Sequence, residues 1–122
     1  MSQASFYEVV NTRTGEVIVS RGKLATSAAS RAVGLVGKKG LAPDEALIIR
    51  PCWSIHTWFM RFKIDVLFLS KDGMVRKVIQ SMPTYRFAAS WGAHDTIEMA
   101  PGTLRGRDVA VGDPVDIREA GA

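Results

Sequence analysis

The segment Ile64 to Leu69 reads IDVLFL, five large apolar side chains and one aspartate, and it limits the possible folds more than any other part of the chain. A run this apolar and this short belongs in a buried strand. Asp65 is then carried into the interior, where an ionised carboxylate without partners costs several kcal/mol. Alternation along the strand places Asp65 on the face of Leu67 and Leu69, opposite Ile64, Val66 and Phe68. A satisfied Asp65 needs a nearby partner, and the sequence offers Arg61, His56, Thr57 or the backbone N–H groups of the Arg61-Phe62-Lys63 bend. Two roles stay open for it: bracing that bend, or contacting a ligand or substrate.

Other short β-rich runs surround this one. Phe6 to Val10 and Glu16 to Ser20 flank Asn11-Thr12-Arg13-Thr14-Gly15, which suits a hairpin loop. Ala46 to Ile49, Ile55 to Met60, Met74 to Gln80, Thr96 to Met99 and Val115 to Ile117 complete a set of about eight short strands, with Lys71-Asp72-Gly73 and Gly112-Asp113-Pro114 as turns. Thr26 or Ser27 can cap one helix running past Ala28, Arg31 and Val33 to a stop at Gly37. Gly34 weakens that helix, which suggests close packing at that point. Met82 to Gly92, with Pro83, Tyr85, Phe87 and Trp91, reads as a long aromatic loop. The fold expected is mainly β: a compact antiparallel β-sandwich or barrel of jelly-roll-like type, one domain over 1–122.

Composition narrows the function classes. Sixteen basic against twelve acidic residues give a net charge of +4, but the basic residues are spread from Arg13 to Arg118. A nucleic-acid binder gathers its charge on one face to displace counterions, so no nucleic-acid partner is expected. The lone cysteine, Cys52, excludes an internal disulfide. No segment reaches transmembrane length, and the N-terminus lacks a leader pattern. Taken as it starts, the chain is expected in the cytoplasm, or outside it if a leader has been removed.

The chemistry is concentrated in Cys52 to Leu69. His56 has an imidazole suited to acid–base work near neutral pH, and with Cys52 it could form a nucleophile–base pair. A thiolate needs an electropositive, accessible setting, for which only Arg50 and Arg61 are at hand. His56, Asp65, His94 and Glu98 are potential metal ligands, yet no HxH, HExxH or paired CxxC spacing gathers them, so neither metal nor cofactor is expected. Glu98, between Ile97 and Met99, repeats the situation of Asp65, and the two could form a carboxylate pair or each meet an arginine. Phe59 and Phe62 are expected in the core. Trp53 and Trp91, flanked by turn residues, are the candidates for exposure.

Arg31 with Gly34-Leu35, Cys52, Ser54-Ile55-His56-Thr57, Phe59-Met60-Arg61-Phe62, Ile64-Asp65-Val66, Gly73, Pro83, Glu98, Gly102 and Gly112-Asp113 form an ordered series. That series resembles the bacterial and archaeal family catalogued as domain of unknown function 192, from about Ala25 to Ile117. Lys63 stands where that family often has proline, and Val36 where methionine is frequent. The resemblance implies a compact, mainly β domain of jelly-roll-like type and transfers no reaction, ligand or catalytic set; many relatives look exported. The first functional expectation is a module binding a small polar or sugar-like ligand around His56, Thr57, Trp58, Arg61, Asp65 and Glu98. The alternatives are a hydrolase-like enzyme using His56 with Cys52 or an acidic partner, and a structural or protein-interaction module with Trp53 and Trp91 at its contact patch. Oligomeric state is left open.

Overall fold

Gly15 can adopt the left-handed φ of +79° that a tight return requires, so the chain doubles back at Asn11–Glu16 and pairs β1 (Tyr7–Asn11) with β2 (Glu16–Ala25). Residues 6–120 are described in this computed structural model. Residues 1–5, on which the leader expectation turns, and 121–122 lie outside the described residues. After β2 the chain crosses over through a short helix, α1 (Ala28–Val33), and returns as β3 (Glu45–Ile49) parallel to β2. A parallel pair needs such a crossover, and this one makes the sheet mixed where all-antiparallel pairing was expected.

The helix is shorter than the sequence suggested. Ser27 caps it in a reciprocal capping box with Ser30, and Gly34, at φ +50°, ends it three residues before the expected stop at Gly37. Gly34 therefore serves as the terminator and not as a point of close packing: a Cβ there would meet nothing nearer than the Arg31 carbonyl at 3.9 Å. The side chain of Val33, expected on the helix's apolar side, lies outside the described ones.

The remaining strands are β4 (Ser54–His56), β5 (Ile64–Ser70), β6 (Val75–Met82), β7 (Phe87–Ala89), β8 (Ala93–Met99) and β9 (Val115–Glu119). Seven of them form one sheet in the order β6-β5-β8-β3-β2-β1-β9, while β4 and β7 make a separate two-stranded ribbon. The large sheet curls until its edges approach: an isolated bridge joins Met74 to Pro114, and Val75 N–H donates to the Asp113 carbonyl at 2.9 Å. Among the described residues the edges meet only at this corner, where Val115 N–H also donates to the Gly73 carbonyl and Gly112 N–H to that of Val75, so the barrel stays open. Gly73 is required at this seam, because a Cβ on it would lie 2.6 Å from the Val115 carbonyl oxygen. Asp113 locks the same corner. It is buried and accepts from Arg13 Nε at 2.7 Å, Ala110 N–H at 2.9 Å and the Asn11 amide at 2.9 Å. The Arg13 guanidinium, with the Ala110 and Asn11 donors, holds its carboxyl well below the usual carboxylate range.

The two faces of the sheet carry separate cores, as the alternation in β5 requires. Leu67 and Leu69 pack inside the curl with Ile18, Ile48, Ile97 and Met99. Ile64, Val66 and Phe68 point to the outer face, where Leu35, Ile55, Met60 and Ala88 cover them. Those covering residues come from the end of α1, the β4–β7 ribbon and the turn after it. This outer layer shapes the candidate site.

Two local readings are corrected. Ile55 to Met60 does not continue as a strand, because Thr57 leaves the ladder and becomes a buried hub: its hydroxyl donates to the Pro83 carbonyl at 2.7 Å and accepts from Arg86 N–H at 2.8 Å. The supposed loop Met82 to Gly92 contains β7, which pairs antiparallel with β4 through Ser54–Ala89, Ile55–Ala88 and His56–Phe87.

Candidate functional site

Between α1 and the outer face of the sheet lies a cleft of about 500 Å³. Arg31, Gly34 and Leu35 form its helical wall, Cys52, Ile55 and His56 the ribbon wall, and Glu98 of β8 stands within it. Register explains the position of Glu98. It pairs with Leu47 on one side and Val66 on the other, so its side chain shares the outer face with Val66. There it is buried, and burial pushes its carboxyl up to about 7, with neither hydrogen bond nor neighbouring cation among the described residues offsetting the desolvation.

Arg31 complements it. Nη1 donates to the Pro51 carbonyl at 3.2 Å, while the buried Nε has no acceptor among the described residues. A buried donor without a partner costs stability unless something else satisfies it, and here it lies in a cleft wall. Sequence reasoning passed over Arg31 as a site residue. The usable signal was a long cation on a six-residue helix otherwise built of alanine, serine and valine.

His56 and Cys52 reach the same cleft but are not set up as a nucleophile and base. Nδ1 of His56 accepts from Trp58 N–H at 3.3 Å, which puts the proton of the neutral ring on Nε2 and makes that nitrogen a donor. The Cys52 thiol donates to the Ser54 carbonyl at 3.1 Å, an arrangement of the protonated form. The cleft lining therefore brings together an imidazole, a guanidinium and, near neutrality, a half-protonated carboxyl.

Asp65 is elsewhere. Register pairs it with Met99 and so puts it inside the curl, on the opposite face of the sheet from Glu98. Its partners are neither Arg61, His56 and Thr57 nor the Arg61-Phe62-Lys63 bend. Oδ1 accepts from Ser81 N–H and Oδ2 from Leu104 N–H, both at 2.8 Å. Ser81 adopts φ +51°, so the carboxylate pins an irregular end of β6 to the turn after β8. An Asp65–Glu98 carboxylate pair is excluded by this geometry. Thr57 is the buried hub described above, and Trp58 and Arg61 are exposed outside the cleft walls. Of the six residues expected around one pocket, the structure brings together His56 and Glu98.

His94 and Glu98 do not converge either. His94 Nδ1 lies 2.8 Å from Asp95 Oδ1, and Asp95 also pairs with both Nε and Nη2 of Arg50. Among the described residues, no three His, Cys, Asp or Glu side chains stand close enough together to hold a metal ion. No helix among them is long and apolar enough to cross a membrane.

The ribbon also carries the exposed aromatics. Trp53 and Trp91 are exposed, as their turn neighbours suggested, and stack with centroids 4.6 Å apart and planes at 19°. Phe62 packs at the edge of the outer core, whereas Phe59, expected inside, is exposed at φ +65° and meets Tyr85 edge-on at 6.0 Å. Thr57 causes this: by turning the chain out of β4 it sends the next two aromatics outward.

Two solved structures share the fold. A protein of Sinorhizobium meliloti 1021, provisionally described as a transcription regulator, is 18% identical over 95% of this chain and 98% of its own, with a TM-score of 0.79. A protein of unknown function from Novosphingobium aromaticivorans DSM 12444 is 22% identical over 90% of this chain and 82% of its own, with a TM-score of 0.76. No curated protein matches the sequence. The family model for DUF192, described as an uncharacterized ACR, matches residues 9–117, and the chain belongs to that family.

Proposed function

We propose that the chain acts as a single-domain binding module for a small polar ligand, sugar-like or of comparable size, held in the cleft between α1 and the β4–β7 ribbon. The observation that carries this reading is Glu98, a buried carboxyl with no partner among the described residues, opening onto a cleft of about 500 Å³. Native interiors rarely keep such a group without compensation, and a ligand polar group would supply it. The volume lies within the small-molecule range. His56 Nε2–H and protonated Glu98, beside the Arg31 guanidinium in the cleft wall, favour a ligand bearing acceptor oxygens, with its apolar side on Leu35, Ile55 and Met60.

The test is an amide NMR titration of the protein and of Glu98→Leu, which removes the donor and keeps a side chain of similar size, with a panel of monosaccharides, small amides and small carboxylates. A ligand should shift the Ile55, His56 and Glu98 resonances, and the substitution should weaken it about tenfold, the scale of one hydrogen bond to an ionisable group. Shifts confined to other surfaces, or affinities untouched by the substitution, would remove the proposal.

A further inference from the structure

The β4–β7 ribbon buries one face, through Ile55 and Ala88, and shows the other to solvent. On that exposed side and at its ends stand Trp53, Trp58, Phe59, Tyr85, Phe87 and Trp91, of which Phe59 and Phe87 are 67% exposed and Trp91 77%. All three tryptophans of the chain are among them. So many large exposed aromatics on one small ribbon exceed what scattered surface residues account for. Phe59 and Tyr85 are both held at positive φ, an unfavourable backbone for bulky residues.

The chain segments that build the ribbon and its flanks carry charge of one sign. Residues 53–64 and 73–94 contain no Asp or Glu, while they carry Arg61, Lys63, Arg76, Lys77 and Arg86. None of these five cations enters an ion pair among the described residues, where the pairs use Arg13, Arg50, His94, Arg107 and Arg118. Three are fixed by carbonyls of β7 and the residues flanking it. Arg76 Nε donates to Trp91 O at 3.0 Å, Lys77 Nζ to Ala89 O at 3.1 Å and Arg86 Nη1 to Tyr85 O at 3.3 Å.

From this juxtaposition of exposed aromatics and unpaired cations we infer that the ribbon is a docking surface for an anionic lipid bilayer, entered at headgroup depth. Tryptophan, tyrosine and phenylalanine settle at that depth, and nearby lysine and arginine add attraction to acidic lipids. A second copy of the chain is a poorer occupant, because a two-fold contact would press these cations against their equivalents. Single-stranded nucleic acid needs free ring faces for its bases. Here Trp53 and Trp91 already stack on each other, and His56 with Trp58 and Phe59 with Tyr85 are also paired.

Vesicle binding tests the inference. The protein is mixed with vesicles of equimolar phosphatidylglycerol and phosphatidylcholine, with phosphatidylcholine vesicles, and with oligothymidylate, and tryptophan emission and co-sedimentation are read. The three exposed tryptophans should shift to the blue on the acidic vesicles, with binding weakened by salt and much weaker on phosphatidylcholine. Phe59→Ser with Phe87→Ser should reduce partitioning about tenfold or more, and Arg76→Gln with Lys77→Gln by about tenfold. Thermal unfolding checks that each variant remains folded, and the salt dependence of the unmodified protein reads the charge contribution without any substitution. No partitioning onto acidic vesicles at low salt, partitioning indifferent to the phenylalanines, or tighter binding to oligothymidylate than to vesicles would each overturn it.

Discussion

Replacing Glu98 by Gln should stabilise the protein at alkaline pH and leave it nearly unchanged at acid pH. The carboxyl stands near 4.5 in the unfolded chain and at about 7 in the fold. A raised carboxyl means that the folded state holds its proton over a range where the unfolded state has released it. Stability contributed by the neutral form is thus fully present below about pH 4.5 and falls as pH rises to about 7, after which the loss is complete. The shift corresponds to about 3 kcal/mol at the usual 1.36 kcal/mol per unit. The substituted glutamine keeps the volume and cannot ionise, so urea unfolding should show the two proteins within about 1 kcal/mol at pH 5 and the variant ahead by up to about 3 kcal/mol at pH 8. For a domain of this size, the alkaline gap is on the order of 10 °C in Tm. The comparison belongs between pH 5 and 8, because the Asp113 carboxylate, depressed by Arg13, gives stability that is lost only as pH falls below about 4. A pH-independent gap would refute the reasoning, since it would mean that Arg31 or another cation compensates the ionised carboxylate.

Two further outcomes follow from the same geometry. Asp65→Ala strands the Ser81 and Leu104 N–H groups in the interior and should cost roughly 3–5 kcal/mol in urea unfolding, while Asp65→Asn, which turns an amide N–H toward a donor, should cost roughly 2–3 kcal/mol; a loss below about 1 kcal/mol would show that the carboxylate is not the brace described. Cys52 should alkylate more slowly at neutral pH in the folded protein than in urea, because its half-buried thiol donates to Ser54 O, and a folded thiol faster than the unfolded one would revive a nucleophilic role.

What could be read from the sequence tracks how local its cause is. The face assignment in β5 follows from period-two alternation and holds residue by residue: Leu67 and Leu69 inside, Ile64, Val66 and Phe68 outside. Turns needing positive φ were legible at Gly15, Gly73 and Gly112, where glycine is the residue that tolerates it. The helix end was missed because Gly34 and Gly37 are both acceptable terminators, and the choice depends on where the chain must turn to reach β3. β7 was missed because three residues, Phe87–Ala89, carry too little pattern to announce a strand without knowing that β4 lies beside them. The site was half legible. His56 and Glu98 were named, but Arg31 comes from a helix whose packing direction is a tertiary matter, and Asp65 was assigned to the same pocket because both acids sit among apolar neighbours.

The contrast between those two acids shows what separates a brace from a site. Asp65 and Glu98 occupy adjacent strands, one residue out of register, with Asp65 opposite Met99 and Val66 opposite Glu98. Both are removed from water to a similar degree. The one-residue offset sends them to opposite faces of the sheet, and the faces differ in what covers them. Inside the curl, the irregular end of β6 and the turn after β8 present two free backbone donors to Asp65, one for each oxygen, so the charge is satisfied by the fold itself. On the outer face, Glu98 is covered by a six-residue helix and a three-residue ribbon strand, elements too short to seal the gap between them. Among the described residues no donor bonds its oxygens, and the carboxyl responds by holding its proton to about pH 7. Burial and an apolar sequence context are common to both residues and cannot distinguish them. The distinguishing quantity is the number of donors the fold supplies, two for Asp65 and none among the described residues for Glu98, which makes Asp65 a brace of the fold and leaves Glu98 without a protein partner of its own among them.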